Sequence, residues 1–136
     1  MQEDFTMDRT EKARELFGTD YFATETTGIV IEKAKTNYAR CSFRIEKKHL
    51  NANHCVMGGA LFTLADFTAA VAANGEDMAT VTLDSQIHYI RPAKGTYLVA
   101  ETRCIKSGQK TCVFEVTITD DNDKTVAVAT CTGIHL

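Results

Sequence analysis

The stretch "MGGALFTLADFTAAVAANG", residues 57–75, decides the fold of this chain. Between Gly58 and Asn74 nearly every residue is apolar or small, which predicts one long helix closed by Gly75. A helix that is apolar all round must be buried on more than one side. The carboxylate of Asp66 in its middle needs an explanation, because aspartate is a poor helix-interior residue and is costly to bury without a partner.

The segments on either side of this helix predict strands. Before it, residues 7–17 predict a short amphipathic helix closed by Gly18, and residues 28–35 and 37–47 predict two strands that turn near Asn37. After it, four further strands are predicted within residues 79–92, 96–108, 109–120 and 125–136. In the first of these four, alternation puts Val81, Leu83, Ser85, Ile87 and Tyr89 on one face and Thr82, Asp84, Gln86 and His88 on the other.

The order of these elements predicts an α+β fold. Short turns between successive strands favour an antiparallel sheet, and the grouping of strands around one helix places both in one domain. A flat sheet would cover only one side of the apolar helix. We therefore expect a strongly curved sheet wrapped around it, with a partner subunit covering the rest.

Composition limits the possible functions. The chain has 136 residues, so we expect a single domain over residues 1–136, with residues 1–20 as an N-terminal helical extension. Of its residues 24% are charged, and the formal net charge is −3. No basic cluster favours nucleic acid, and no apolar run reaches the roughly 20 residues of a membrane span. No signal peptide is recognised, and the five cysteines form no Cys-x-x-Cys pair, which predicts a cytoplasmic protein with reduced thiols and without a metal site.

Two positions of the long helix have the chemistry of an active site. Gly58 and Gly59 lie at its N-terminus, where free backbone N–H groups and the helix dipole can polarise a carbonyl oxygen. Asp66 can serve as a general base or a nucleophile. Structural explanations stay open for both: the glycines could simply allow a sharp turn, and Asp66 could bond to a neighbouring strand, a lysine or an arginine.

The spacing of these positions has a consequence for assembly. Gly58 and Asp66 are eight residues apart, which is about 12 Å along a helix axis. One small reacting group cannot contact both. If the two share one reaction, Gly58 of one chain must meet Asp66 of another across a two-fold axis, which predicts an obligate dimer with two equivalent sites.

The same residues carry a family resemblance. The stretch "GGALFTLADFTAAVAAN", preceded by Asn51 and followed by "VTLDSQIHYIRPAKG", resembles the hotdog-fold acyl-CoA thioesterases of the PaaI type, within the 4-hydroxybenzoyl-CoA thioesterase superfamily. The similarity extends from about residue 20 to the end of the chain. It implies the hotdog fold, in which a curved antiparallel sheet surrounds a long central helix.

The resemblance also implies roles for individual residues. Asp66 matches the catalytic carboxylate that activates or orients the hydrolytic water, or in some members attacks directly. Gly58 matches the glycine whose N–H polarises the thioester carbonyl. Asn51 matches an asparagine that helps to place the thioester, and Thr82 matches a serine or threonine that helps to hold the water. Asp66 and Thr82 would come from one chain, and Asn51 and Gly58 from the other.

Gly59 and Met57 flank Gly58 and are expected to contact the substrate. Met57 departs from the family, because many relatives have histidine there and methionine can neither donate that hydrogen bond nor titrate. His54 could partly replace it or could be an exposed loop residue.

The expected activity is hydrolysis of an acyl-CoA to a carboxylic acid and free CoA, without a metal or other cofactor, in a homodimer that assembles to a tetramer. The alternatives are a non-catalytic acyl-CoA-binding protein and, with less support, a hydratase of the same fold.

Overall fold

A computed structural model describes residues 8–75 and 79–136. Its helices are α1 (Thr10–Phe17) and α2 (Gly58–Ala73), with a π-helical turn (Phe22–Thr27) and a 3₁₀ turn (Lys47–His49). Its strands are β1 (Val30–Lys35), β2 (Tyr38–Arg44), β3 (Thr80–Tyr89), β4 (Tyr97–Ser107), β5 (Thr111–Asp120) and β6 (Thr125–His135). The predicted α+β class is confirmed, whereas the π-helical and 3₁₀ turns were not predicted.

The six strands form one antiparallel sheet in the order β1-β2-β4-β5-β6-β3. Helix α2 packs against all six of them. Because a flat sheet can cover only one side of a helix, these contacts require a sheet that curves around α2, as the sequence predicts. Strands β1 and β3 are the two edges of the sheet.

The core lies between α2 and the concave face of the sheet. Leu64 and Phe67 of α2 are buried there with Phe43 of β2 and Phe114 of β5. Helix α1 closes one end of this core, where the ring of Phe17 packs edge-on against Phe67 with 5.7 Å between ring centroids. The N-terminal helix therefore packs into the domain core.

Helix α1 is also tied to the edge of the sheet by polar contacts. The Nε and Nη2 atoms of Arg14 donate to the carbonyl oxygen of Ile31 at 3.0 and 2.8 Å. Gly18 caps α1 in a right-handed helical conformation. The described part of the predicted helix 7–17 is thus confirmed from Thr10 onward, and residue 7 lies outside the described residues.

The end of α2 differs from the prediction in its capping residue. The helix ends at Ala73, and Asn74 caps it by donating from its backbone N–H and its Nδ2 to the carbonyl oxygen of Ala70. The Oδ1 atom of Asn74 accepts a hydrogen bond from the backbone N–H of Thr80 at 2.9 Å, which links the helix end to β3. Gly75 follows the cap and does not adopt a left-handed conformation. A side-chain amide thus terminates α2, in place of the predicted glycine.

No helix in the part of the chain that the structure describes has both the length and the hydropathy that a bilayer-spanning segment needs.

Candidate active site

Asp66 lies on the one side of α2 that the sheet leaves open. The residues of this open face are small or partly exposed: Gly59, Phe62, Thr63, Ala70 and Ala73. Asp66 itself is half-buried and lies beside the side chain of Thr82 on β3. Burial raises the pKa of the Asp66 carboxyl, the neighbouring Thr82 hydroxyl lowers it, and the nearby charge of Asp20 raises it further, with a net upward shift. The carboxyl is therefore a stronger base than an ordinary aspartate.

A β-bulge in β3 brings Thr82 to this position. In the pairing of β3 with β6, Thr82 lies opposite Gly133 and Asp84 opposite Thr132, so Leu83 is an extra residue between them. One extra residue inverts the alternation of side chains on the strand. Thr82 therefore points towards α2, where it reaches Asp66.

The predicted faces of β3 were therefore wrong on the N-terminal side of the bulge. The register places Thr82 on the face of Ser85, Ile87 and Tyr89, and Val81 on the face of Asp84, Gln86 and His88. Uninterrupted alternation would have turned the Thr82 hydroxyl away from the helix. The bulge thus creates the Asp66–Thr82 pair.

Gly58 and Asn51 form a second group at the start of α2. Both line an open pocket of about 430 Å³ whose other walls include Tyr89, Arg91 and Pro92. The ring of Tyr89 covers Gly58 closely, and its hydroxyl donates to the carbonyl oxygen of Gly58 at 3.1 Å. A Cβ atom at residue 58 would lie 3.1 Å from the Cζ atom of Tyr89, so the ring contact favours glycine here. The sequence did not predict this contact, although Tyr89 lies in the segment "VTLDSQIHYIRPAKG" that carries the family resemblance.

The side chain of Asn51 shapes the loop that leads to α2. Its Oδ1 atom accepts hydrogen bonds from the backbone N–H groups of Asn53 at 2.9 Å and Cys55 at 3.2 Å. These donors fix which end of the amide carries the oxygen. Asn51 is exposed, and no hydrogen bond from its Nδ2 is found among the described residues, so this group can donate to a ligand.

Met57 and Gly59 lie on the other side of the helix start. They line a second open pocket of about 430 Å³, together with Phe22, Thr26, Thr27, Lys48, His49, Ala60 and Thr63. Met57 is 58% exposed, and its backbone N–H donates to the carbonyl oxygen of His49 at 2.8 Å. The structure therefore separates the predicted substrate-contacting residues Met57 and Gly59 from the pocket that Gly58 and Asn51 share.

Buried His49 holds the loop against the π-helical turn. Its Nδ1 atom accepts from the backbone N–H of Glu46 at 2.9 Å, so Nε2 carries the proton and donates to the carbonyl oxygen of Thr27 at 2.8 Å. Both ring nitrogens are thus engaged in structural hydrogen bonds. His54, in contrast, is an exposed loop residue with φ +62°, as one of the two sequence interpretations expected.

The predicted residues therefore form two groups. Asp66 and Thr82 are neighbours on the open face, and Asn51 and Gly58 share a pocket at the helix start. Helix geometry separates Gly58 from Asp66 by about 12 Å along the axis of α2. Within residues 8–75 and 79–136, no cluster of His, Cys, Asp or Glu side chains could hold a metal ion, and all five cysteines are free thiols.

Comparison with known proteins identifies the family. The model of the thioesterase superfamily matches residues 53–127, which is more than half of the chain and includes Gly58, Asp66 and Thr82. The chain belongs to the thioesterase superfamily.

Two relatives show which members of this superfamily the chain is similar to in sequence. The acyl-coenzyme A thioesterase PaaI of Escherichia coli is 31% identical over 102 residues, which are 74% of this chain and 73% of that protein. A protein of Archaeoglobus fulgidus, provisionally named an esterase, is 32% identical over 100 residues, which are 73% of this chain and 65% of that protein.

Solved structures support the same grouping. The structure of Escherichia coli PaaI matches 93% of this chain and 95% of that chain with a TM-score of 0.82 and 25% identity. A hypothetical thioesterase of Streptococcus pneumoniae, solved with coenzyme A, matches 90% of this chain and 96% of that chain with a TM-score of 0.79 and 27% identity. This member of the thioesterase superfamily is thus a thioester hydrolase of the PaaI type with the hotdog fold, as the resemblance implies.

Proposed function

We propose that this thioesterase hydrolyses an acyl-CoA to a carboxylic acid and free CoA. The family match, the similarity to PaaI and the relative solved with coenzyme A support this substrate class. One observation carries the mechanism: the half-buried Asp66 carboxylate lies beside the Thr82 hydroxyl on an otherwise open helix face. No ion pair to Asp66 is found in the described part of the chain, so the carboxylate is available as a base.

Asp66 acts as a general base towards water. The water oxygen attacks the carbonyl carbon of the thioester while its proton passes to the Asp66 carboxylate. The C–S bond of the resulting tetrahedral intermediate then breaks, and CoA leaves as the thiolate. Thr82 orients the carboxylate and the attacking water. The raised pKa of Asp66 helps, since a stronger base accepts the proton more readily.

The start of α2 stabilises the negative charge on the carbonyl oxygen. The backbone N–H of Gly58 is in the first turn of the helix, where it has no partner within the helix and the dipole is positive. The Nδ2 group of Asn51, which shares the pocket with Gly58, supplies a second donor. Two such donors form an oxyanion hole, and loss of one typically costs roughly a hundredfold or more in rate.

The site requires two chains in this mechanism. A second α2, antiparallel to the first, would bring its Asp66 and Thr82 to the Gly58 and Asn51 of its partner. The small residues of the open face of α2 allow such a close approach. Edge strand β3 supports the same assembly, because it leaves apolar side chains exposed, among them Leu83 at 60%. Further assembly to a tetramer stays a prediction.

A subunit-mixing experiment tests the shared site. The first variant is Asp66→Asn, which removes the base. The second is Asn51→Asp, which keeps the acceptor for the N–H groups of Asn53 and Cys55 but removes the Nδ2 donor. Each variant alone should lose nearly all turnover. Mixed dimers contain one intact and one doubly altered site, so random pairing should restore about a quarter of wild-type activity.

Each result of these measurements contradicts a different part of the proposal. A mixture no more active than the mean of its parents, after subunit exchange is verified by mass spectrometry, would contradict the shared site. Full activity of Asp66→Asn would contradict the role of the carboxylate. Tight binding of acyl-CoAs by the wild-type chain without turnover would instead support a non-catalytic binding protein.

A further inference from the structure

The segment that leads into α2 carries Asn51, one of the two proposed oxyanion donors, and has little packing of its own. We call residues 49–57 the entry loop. Residues 51–54 within it are exposed. Two residues of the entry loop, all of which the structure describes, are buried: His49 and Val56. The position of the exposed Asn51 side chain therefore depends on how the entry loop is anchored.

Backbone hydrogen bonds join the entry loop to the start of α2. The N–H of Asn51 donates to the carbonyl oxygen of Cys55 at 2.8 Å, and the N–H of Met57 donates to that of His49 at 2.8 Å. Met57 is the N-cap of α2, and it makes no side-chain cap hydrogen bond among the described residues. The backbone bond to His49 therefore fixes the helix start, with Gly58, relative to the loop that carries Asn51.

The ring of His49 anchors the entry loop to other elements. Its Nε2 atom donates to the carbonyl oxygen of Thr27 in the π-helical turn at 2.8 Å, 22 residues away in sequence. Its Nδ1 atom accepts from the backbone N–H of Glu46 at 2.9 Å, and the ring packs against Phe43 of β2 with 4.4 Å between ring centroids. The π-helical turn itself packs against α2. The loop, the turn and the helix thus form a closed set of contacts, in which His49 links the loop to the turn.

A histidine at this buried position specifies geometry as well as filling space. A buried hydrogen bond adds only modest net stability, but it forms only within a narrow range of distance and angle. A shift of the entry loop by about 1 Å along the bond from Nε2 to Thr27 would break that bond. An apolar side chain of similar size would tolerate such a shift. A misplacement of about 1 Å in an active site can lower the rate on the order of a hundredfold.

We propose that His49 is a positioning residue for hydrolysis, which holds the Nδ2 group of Asn51 and the N–H of Gly58 where they stabilise the oxyanion. The inference rests on the proposed function. His49 itself contacts no reacting atom, because both of its ring nitrogens are bound within the protein. The two donors act on charge that develops in the transition state. Loosening the entry loop should therefore lower kcat and leave KM nearly unchanged.

Three replacements of His49 separate its two hydrogen bonds. Leucine removes both, asparagine places an acceptor near Nδ1 for Glu46, and glutamine places a donor near Nε2 for Thr27. In steady-state hydrolysis of an acyl-CoA, His49→Leu and His49→Asn should lower kcat at least about tenfold and change KM less than about twofold. His49→Gln should stay within about threefold of the wild-type kcat, because it keeps the bond that joins the entry loop to the π-helical turn.

Two control variants separate positioning from a general loss of stability. Lys47→Ala alters an exposed residue of the same 3₁₀ turn and should keep the wild-type kcat. Val116→Ala opens space in the core beneath the sheet and should lower Tm, but it should keep kcat at temperatures where the variant is folded. Equal kcat values for His49→Gln and His49→Asn would overturn the inference. A kcat loss in Val116→Ala as large as that in His49→Asn would also overturn it.

Amide hydrogen exchange tests the anchoring whether or not turnover occurs. In His49→Asn, the amides of Asn51 and Met57 should exchange at least about fivefold faster than in the wild type, while the amides of β5 keep their protection. Unchanged exchange at both residues would overturn the inference. Absence of acyl-CoA hydrolysis by the wild-type chain would refute the proposed function, and faster exchange at Asn51 and Met57 would then still support the anchoring by His49.

Discussion

The contact between Gly58 and Tyr89 leads to a prediction in which stability and activity respond differently. Replacing Gly58 by alanine adds a Cβ atom 3.1 Å from Cζ, 3.3 Å from Oη and 3.4 Å from Cε1 of Tyr89. The distances to Cζ and Oη are tighter than ordinary van der Waals contacts, so the ring must move by a few tenths of an ångström. The ring can move because Tyr89 is 52% exposed.

The effect of Gly58→Ala on the free energy of unfolding is the difference between a lost hydrogen bond and a gain in helix propensity. Movement of the ring breaks the hydrogen bond from Tyr89 to the carbonyl oxygen of Gly58, which is worth about 0.5–1 kcal/mol. Alanine is a better helix former than glycine, and this recovers about 0.5 kcal/mol at the helix start. Gly58→Ala should therefore change the free energy of unfolding by less than about 0.5 kcal/mol.

The effect on activity should be larger. Tyr89 lines the pocket that Asn51 and Gly58 share, so displacement of its ring changes the shape of the site where the reacting carbonyl is proposed to bind. A misplacement that costs about 1 kcal/mol at the transition state lowers kcat/KM about fivefold. Hydrolysis of an acyl-CoA, followed by release of the free thiol, measures this loss.

A double-mutant cycle isolates the contact. In a Tyr89→Ala background neither the clash nor the hydrogen bond exists, so Gly58→Ala should stabilise the protein by about 0.5 kcal/mol. The coupling between the two positions is then between about 0.5 and 1 kcal/mol, or a few degrees in Tm for a chain of this length. Equal effects of Gly58→Ala on stability in both backgrounds would refute the reasoning.

Two further predictions concern the Asp66–Thr82 pair. Because the pKa of Asp66 is raised in the folded state, its charged form destabilises the fold above the ordinary value of 3.8. Asp66→Asn should therefore raise Tm at pH 7 by a few degrees at most. This gain in Tm should vanish as the pH falls to about 3.8. A lower Tm of the variant at pH 7 in thermal melts would contradict the prediction. Thr82→Val removes the hydroxyl that lowers the pKa of Asp66, so the acid limb of the kcat profile should move to higher pH. Ser85→Ala, which removes a hydroxyl from the same face of β3, should leave that limb in place, and identical profiles for the two variants would exclude the proposed role of Thr82.

The architecture could be predicted from sequence because its signals are local and repeated. The apolar run that begins at Gly58 is too uniform for a surface helix, and the alternating segments around it are typical of strands joined by short turns. The positions of Gly58 and Asp66 were also accessible, because a helix fixes their separation once it is recognised. These inferences needed only the periodicity of regular elements.

The parts that could not be predicted depend on single irregular residues. Nothing in "VTLDSQ" marks Leu83 as the extra residue of a bulge, since it is neither glycine nor proline and fits an uninterrupted strand. The π-helical turn that carries Phe22 begins without a side-chain cap, and the left-handed Gly28 at its end is a signal common to many turns. Its position depends on contacts with α2 and on the hydrogen bond from His49 to Thr27. Irregular backbone of this kind is determined by tertiary contacts, which no local pattern records.

The rigidity of α2 explains why the proposed site must be divided between chains. A continuous helix of 16 residues keeps Gly58 and Asp66 about 12 Å apart, and no rotamer of an aspartate side chain spans that distance. The bulge at Leu83 places Thr82 beside Asp66, so a base that moved towards the helix start would leave the Thr82 hydroxyl. A hydrolytic site built from these residues therefore exists only when a second helix lies across the open face of α2. Dimer formation and catalysis should consequently be lost together when that face is blocked.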